Sequence, residues 1–564
     1  MRDALSALTE AAGILPVYTD QTGRERATTS DTARAVLAAM GIEVNTPADA
    51  IAHLKELQAS AARRLLPSWQ VVGAETPPAL GLPAACAWEL SLEDGTRVEG
   101  RGDALPTLPM GRHALRIGGD VTWLLAAPPA LPLPPPGWGV TLPLYGLRPP
   151  DRGGIGDYAD LREAVAGLGR AGAGFVGINP IHAGFPTAPD AFSPYAPSHR
   201  RRLNVLHLPC TEDTAGRGDP LIDYPSSTLC RADHQADAFA AASPDAAFEA
   251  FRTEGGPELH RFALHQTLSE QFGAFWDRWQ VAKAADDAGM RHGLYLDLAV
   301  GTHPHGAETW AEPDQFAKNA SLGAPPDAFA ADGQVWGLSP FNPIALVDTG
   351  FAALAETLRC QFRYARLLRI DHILGFERAF WVPMAGGLPG AYVSMPREAM
   401  LAVTRIEAAR AGATVGGEEL GNIPDGLQAA MAGSGLLGCR IVQFEHDKAG
   451  GFHPAKDYAS ATLAAFGTHD LPSFRGWRAG RDITVRADLD MIDADTAVAA
   501  RADRTREVAA FDRAADGPPG DPATLDGFLG ATGSRLVALQ IEDLLEIEDQ
   551  PNLPGTVHDY PNWR

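Results

Sequence analysis

The rhythm of hydrophobic and polar positions changes twice along this chain. Residues 1–64 repeat with a helical period, in "DALSALTEAAGIL" and again in "TTSDTARAVLAAMGI", where Thr29 or Ser30 stands at the N-cap position. Over 65–128 the period shortens to alternation. "WELSLEDGTRVEG" sets Asp94-Gly95 between two alternating runs, a hairpin signal, and "GRHALRI" and "VTWLLAA" read as further strands. The proline-rich residues 129–139 then form a stiff, extended linker. This predicts a small helical subdomain and a small β-rich domain ahead of a linker.

From 140 to 564 the pattern is strand, then helix, repeated. Predicted strands are "VTLPLYGL", "GFVGINPI", "GLYLDLAV", "RLLRIDHI", "ATVGGEEL", "CRIVQFEH", "LAAFGTHD" and "RLVALQIEDLL", many separated by amphipathic stretches such as "YADLREAVAGLGRAG". Eight strands in that alternation predict an α/β fold, a (β/α)8 TIM barrel, with a doubly wound sheet as the alternative. The interval near 182–292 is too long for one crossover helix and predicts a helical insertion.

Charges fall where such strands should be apolar. In "RLLRIDHILGF", Arg369, Asp371 and His372 interrupt what otherwise reads as a strand buried on both faces, where an unpaired charge is costly. Asp297, Glu418 with Glu419, Glu445, Asp470, and Glu542 with Asp543 also lie at or just beyond predicted strand ends. A single carboxylate there is as readily a loop residue or a helix cap. The set marks one rim of a barrel, where catalytic groups collect.

Composition narrows the partners. The 47 basic and 70 acidic residues leave a formal charge of -23, which argues against nucleic acid or an anionic membrane as partner. No apolar run is long enough for a membrane span, and the N-terminus lacks the pattern of a signal peptide. Five scattered cysteines form no CxxC pair, so no zinc knuckle or disulfide framework is indicated, and a cytoplasmic location is expected. "DLAVGTHPHGAETW" is His-rich; His303, His305 and Glu308 raise the question of a metal, and a plain loop is the expectation.

Several long stretches, in fixed order, resemble the amylomaltase (disproportionating enzyme) family of 4-alpha-glucanotransferases, bacterial type with an N-terminal extension. They are "LYGLRPPDRGGIGDYADL", "GINPIHAGFPTAPDAFSPYAPSHRRRLNV", "LGAPPDAFAADGQVWGLSPFNP", "RIDHILGFERAFWVP", "GGEELGNIPDGL", "FGTHDLPSFRGW" and "NLPGTVHDYPNWR". The resemblance implies Asp371 as nucleophile, Glu418 as general acid/base and Asp470 as the third, substrate-binding carboxylate. It further implies substrate-binding roles for Arg369, His372, His469, Asp297, Tyr195, Gln334 and Trp336, with Glu419 beside the acid. Malto-oligosaccharides, glucose and α-1,4-glucans are the implied partners, and no metal or organic cofactor is required. The family usually continues beyond "PNWR", which predicts a last barrel helix that is short or absent.

The residue types suit that chemistry. Retaining cleavage of a glucosidic bond needs one carboxylate to attack and a second carboxyl to protonate the leaving oxygen. Arg369, two residues before Asp371, points to the same side of a strand and is expected to hold its pKa low. Glu418 and Glu419 are adjacent, so only one faces the reaction; the other supports it and helps raise its pKa. Tyr195, Trp336, Phe380 and Trp381 are candidate platforms for sugar rings, though each is equally a core residue by type. An α-glucan hydrolase with the same carboxylates, and a non-catalytic glucan-binding protein, are the competing readings.

Overall fold

Eight short parallel strands close on themselves in chain order, in a computed structural model that describes residues 4–148, 152–186, 188–219, 221–242, 246–270, 290, 292–326, 332–556 and 559–563. They are β1 (Gly137–Leu142), β2 (Phe175–Ile178), β3 (Gly293–Leu298), β4 (Leu367–Ile370), β5 (Thr414–Gly417), β6 (Leu437–Ile441), β7 (Thr462–Ala465) and β8 (Leu536–Gln540). β8 pairs back onto β1, from Leu536 opposite Gly137 to Gln540 opposite Thr141. The structure is therefore the (β/α)8 barrel, and the doubly wound alternative falls because an open sheet would leave β1 and β8 unpaired.

Covering both faces explains why these strands read as nearly continuous apolar runs. β2, β3 and β5 are buried at every position. Outside them pack α1 (Tyr158–Arg170), α3 (Ala352–Phe362) and α4 (Arg397–Ala411), among others, while α2 (Tyr224–Ala241) belongs to the insertion after β2. Leu161 and Val165 of α1, Leu354 and Leu358 of α3 and Ile406 of α4 share one core with Val176, Leu296 and Val415 of the strands. The Asp157 side chain starts α1 by accepting the Ala159 and Asp160 amides, and Asp160 returns a bond to the Asp157 amide. β8 leads only into Ile541–Leu544 before the chain turns back across the barrel mouth.

The interval after β2 holds an antiparallel hairpin (His182–Ala183 with His199–Leu203), α2, and the helical stretch Ala246–Glu270, which breaks at Gly256 ahead of Pro257. The remainder of that insertion, 271–289, lies outside the described residues. Two longer excursions follow β3 and β4. They pair into a four-stranded sheet that orders Gln334–Val335, Ala320–Ala324, Arg378–Pro383 and Ala391–Ser394 side by side.

Three N-terminal helices (Ala4–Ala11, Ser30–Ala39 and Pro47–Arg63) lie against that excursion sheet. Leu8, Ile14, Val36 and Leu37 are buried in one cluster with Leu322, Trp381 and Val393. Thr29 takes the N-cap, its hydroxyl accepting the Thr32 amide. The five-stranded sheet over 69–127, which includes the Ala87–Ser91 and Arg97–Arg101 hairpin, packs against α4 instead. There Glu93 receives Arg112, Arg359 and Arg410 together. Phe380 and Trp381 are not sugar platforms. Trp381 is fully buried beneath the N-terminal helices, and Phe380 packs edge-on against Tyr18 and Tyr392.

Candidate active site

The strand ends put the predicted carboxylates on one rim. Asp297 near the end of β3 stands directly opposite Arg369 on β4, and Arg369 stands opposite Gly416 on β5. Arg369 and Asp371 share a face, as their spacing requires. Arg369 Nη1 lies 2.6 and 2.7 Å from the two Asp297 oxygens and 2.8 Å from Asp371 Oδ1. Its Nη2 is 4.0 Å from Glu418 Oε2. One buried guanidinium thus gathers three carboxylates from three neighbouring strands.

Glu418 follows Gly417 because the strand has no room for a side chain at that position. A Cβ on Gly417 would sit 2.6 Å from Ile373 and 2.7 Å from Met431. The Glu418 carboxylate is fixed at both oxygens, accepting the His372 amide on Oε2 and the Leu420 amide on Oε1, each at 2.8 Å. Glu419 turns the other way and pairs with Arg440, which also lies 3.7 Å from Glu445. The two glutamates therefore face opposite sides, and Glu419 is held by Arg440.

His372, directly after Asp371, has the left-handed backbone φ 48°, ψ 54°. A non-glycine residue adopts that region at a cost, and such strain collects at functional sites. The turn carries its imidazole to Trp336, ring to ring at 5.2 Å and edge-on. Trp336 Nε1 donates to Gln334 Oε1 at 3.1 Å, so the excursion sheet delivers both loop residues to the rim beside His372.

On the opposite wall Tyr195 donates its hydroxyl to Asp297 Oδ2 at 2.8 Å and meets His469 Nδ1 at 3.1 Å. The two rings stack at 4.5 Å. His469 Nε2 is 3.4 Å from Asp470 Oδ2, and Asn552 donates to Asp470 Oδ1 at 2.6 Å. Trp563 closes this wall, its ring centroid 5.2 Å from that of Tyr195 and 5.5 Å from that of His469. Asn552 and Trp563 were not singled out in the sequence. Their stretch, "NLPGTVHDYPNWR", was the available signal, but only the folded tail shows which of its residues reach the mouth.

Between these walls is a pocket lined by Tyr195, Asp297, Arg369, Glu418, His469 and Trp563. Its electrostatics correct one expectation. Arg369 was expected to hold Asp371 low. Burial acts more strongly, and Asp297, Glu418 and Asp470 add to it, so the Asp371 carboxyl is pushed up to about 8. Burial keeps His372 below the usual imidazole range and Tyr195 well above the usual phenol range. The His-rich loop is no metal cradle. Glu308 is buried and spent on Arg200, accepting its amide and Nε on one oxygen and its Nη2 on the other.

The arrangement offers one carboxyl group on either side of a shared cation, a third carboxylate at the edge, and stacked rings. Comparison with known proteins identifies the family. The family model described as 4-alpha-glucanotransferase matches residues 142–292 and 280–564. A Mycobacterium bovis 4-alpha-glucanotransferase is 32% identical over 682 aligned residues, covering 100% of this chain and 94% of the relative. One from Haemophilus influenzae is 28% identical, over 82% of this chain and 81% of the relative. The crystal structure of amylomaltase from Corynebacterium glutamicum superposes with a TM-score of 0.87 at 27% identity, covering 100% of this chain and 95% of that one. Amylomaltase from Streptococcus agalactiae, solved with acarbose, has a TM-score of 0.62 at 18% identity over 76% of this chain and 94% of its own, a likeness of fold.

Proposed function

This chain belongs to the 4-alpha-glucanotransferase family, and from that premise we propose that Asp371, Glu418 and Asp470 carry its reaction by retaining double displacement. It transfers α-1,4-glucan segments from a donor to an acceptor. In the proposed cycle, Asp371 attacks the anomeric carbon while Glu418 protonates the departing glucan oxygen. The Asp371 ester is then opened by the 4-hydroxyl of an incoming sugar, whose proton returns to Glu418. Asp470, steadied by Asn552, holds sugar hydroxyls more tightly as the ring flattens toward the transition state.

The observation that carries this reading is Arg369. It touches Asp371 and approaches Glu418, so one cation spans the attacking and protonating groups. Burial and the neighbouring carboxylates raise the Asp371 carboxyl, and the Glu418 carboxylate is held by the His372 and Leu420 amides. The proposed cycle needs Asp371 as the anion and a proton on Glu418. Arg369 next to Asp371 stabilises the anion formed when the proton leaves.

Tyr195, His469, Trp563 and Trp336 supply the faces against which glucose rings pack, and Gln334 and His372 supply donors at the same rim. Malto-oligosaccharides are the donors we assign, with glucose or a shorter glucan as acceptor; acarbose in the Streptococcus agalactiae amylomaltase structure supports a site of that shape. Among the described residues no helix is long and apolar enough to cross a membrane. The free cysteines support placing the enzyme in a reducing cytoplasm.

The test is incubation with maltotriose alone. Glucose together with maltopentaose and longer chains, at constant total reducing ends, is the expected outcome. Asp371→Asn and Glu418→Gln should each lower that rate at least about 10³-fold with the circular dichroism spectrum unchanged. Rising reducing ends with only glucose and maltose would make water the acceptor, and an active Asp371→Asn enzyme would remove the nucleophile assigned here.

A further inference from the structure

Outside the pocket, the loop after His199–Leu203 meets the middle of α2. Cys210, Glu212 and His234 bring a thiol, a carboxylate and an imidazole together there, their ligand atoms all within 4.8 Å of one another. Glu212 Oε2 is 3.7 Å from Cys210 Sγ and 2.5 Å from His234 Nδ1. We propose that Cys210, Glu212 and His234 bind a zinc ion that fastens this loop to α2.

The donor set selects the metal. Sulfur, nitrogen and oxygen donors together suit zinc, whereas magnesium and calcium take oxygen alone. An ordinary Glu212–His234 ion pair would have no use for the buried thiol beside it. A metal ion binding here displaces the thiol proton and gains a thiolate ligand. Zinc at about 2.0–2.3 Å from each donor sets the donors about 3.3–3.8 Å apart. The Glu212 side chain, largely in solvent, is free to make the small outward move from His234 that this requires.

The backbone on both sides is already held. Asp213, next to Glu212, accepts Arg231 Nε at 2.6 Å and Ser227 Oγ at 3.1 Å. Arg231, one turn before His234, also donates to the carbonyls of Leu206, Leu208 and Ile155. Loop and helix are thus clamped together, with Cys210 buried at the junction, Glu212 exposed beside it and His234 half-buried. Little ordering remains to oppose binding. Separation in sequence hid the site: Cys210 and Glu212 lie in a loop and His234 a helix away, unlike the spacing of a zinc knuckle.

The full-length enzyme, stripped with EDTA and dialysed into metal-free buffer, is titrated with zinc chloride and, separately, cobalt chloride. The expected result is one zinc per chain, a raised melting temperature, and a cobalt–thiolate charge-transfer band. Cys210→Ser should abolish the band, and His234→Ala should weaken zinc binding at least 10-fold. Both variants should disproportionate maltotriose at the unmodified rate, because neither residue lies in the pocket, so the outcome is separable from that of the transfer reaction. Absence of saturable zinc binding, or full stoichiometry retained in Cys210→Ser, would overturn the site.

Discussion

Asp371 is where physical chemistry at the level of one residue departs most from its sequence context. Arg369 alone would keep it ionised, but three carboxylates and burial prevail. As the proposed nucleophile Asp371 must be an anion to attack, so on that proposal the rate should rise with pH as it loses its proton. The acid limb of kcat/KM is expected well above the range of an ordinary aspartate. Asp297→Asn removes a neighbouring negative charge and frees Arg369 for Asp371; both effects lower the Asp371 pKa, and the limb should move to lower pH. Profiles of kcat/KM against pH for the two enzymes check this, and a limb that stays in place would locate the controlling proton elsewhere. The apparent value belongs to the coupled cluster rather than to one carboxyl. No sequence window holds this information, because Asp297, Asp371, Glu418 and Asp470 lie at the ends of four different strands.

At the scale of elements, the wall made by Tyr195, His469 and Trp563 joins three segments remote in the chain. Tyr195 comes from the hairpin after β2, His469 from beyond β7, and Trp563 from the returning tail. Tyr224, opening α2, donates to the Trp563 carbonyl at 2.7 Å and is stacked on Phe192. Tyr195→Phe keeps the stacking but removes the hydroxyl shared by Asp297 and His469. A loss of about 5–10-fold in kcat/KM is expected, the worth of about one hydrogen bond, with little change in melting temperature. Maltotriose kinetics beside a thermal melt separate the two effects. The barrel strands themselves were legible because burial on both faces leaves continuous apolar runs ending in carboxylates. Phe380 and Trp381 were ambiguous for the opposite reason: a large aromatic residue satisfies core and sugar alike, and only the N-terminal helices lying over Trp381 decide between them.

For the molecule as a whole, those helices answer a question the sequence left open. They pack on the sheet that carries Gln334 and Trp336, and the Gln21 amide donates to the Pro326 carbonyl in the same excursion. The N-terminal helices are thus a brace for one lip of the pocket. Trp381→Ala should leave a cavity costing about 3–5 kcal/mol, read as a lower urea midpoint, together with a raised KM for maltotriose as the Trp336 lip loosens. An unchanged midpoint would show that the interface relaxes without loss.

Closure of the barrel has a consequence in time. Gly137 pairs with Leu536, and at about 5–20 residues per second a ribosome needs roughly 20–80 s to make the roughly 400 residues between them. Until β8 is made, β1 can pair with β2 alone, and its other edge has no partner strand. The vulnerable form of this enzyme is therefore the unfinished one on the ribosome, and conditions that slow elongation lengthen its exposure to other nascent chains.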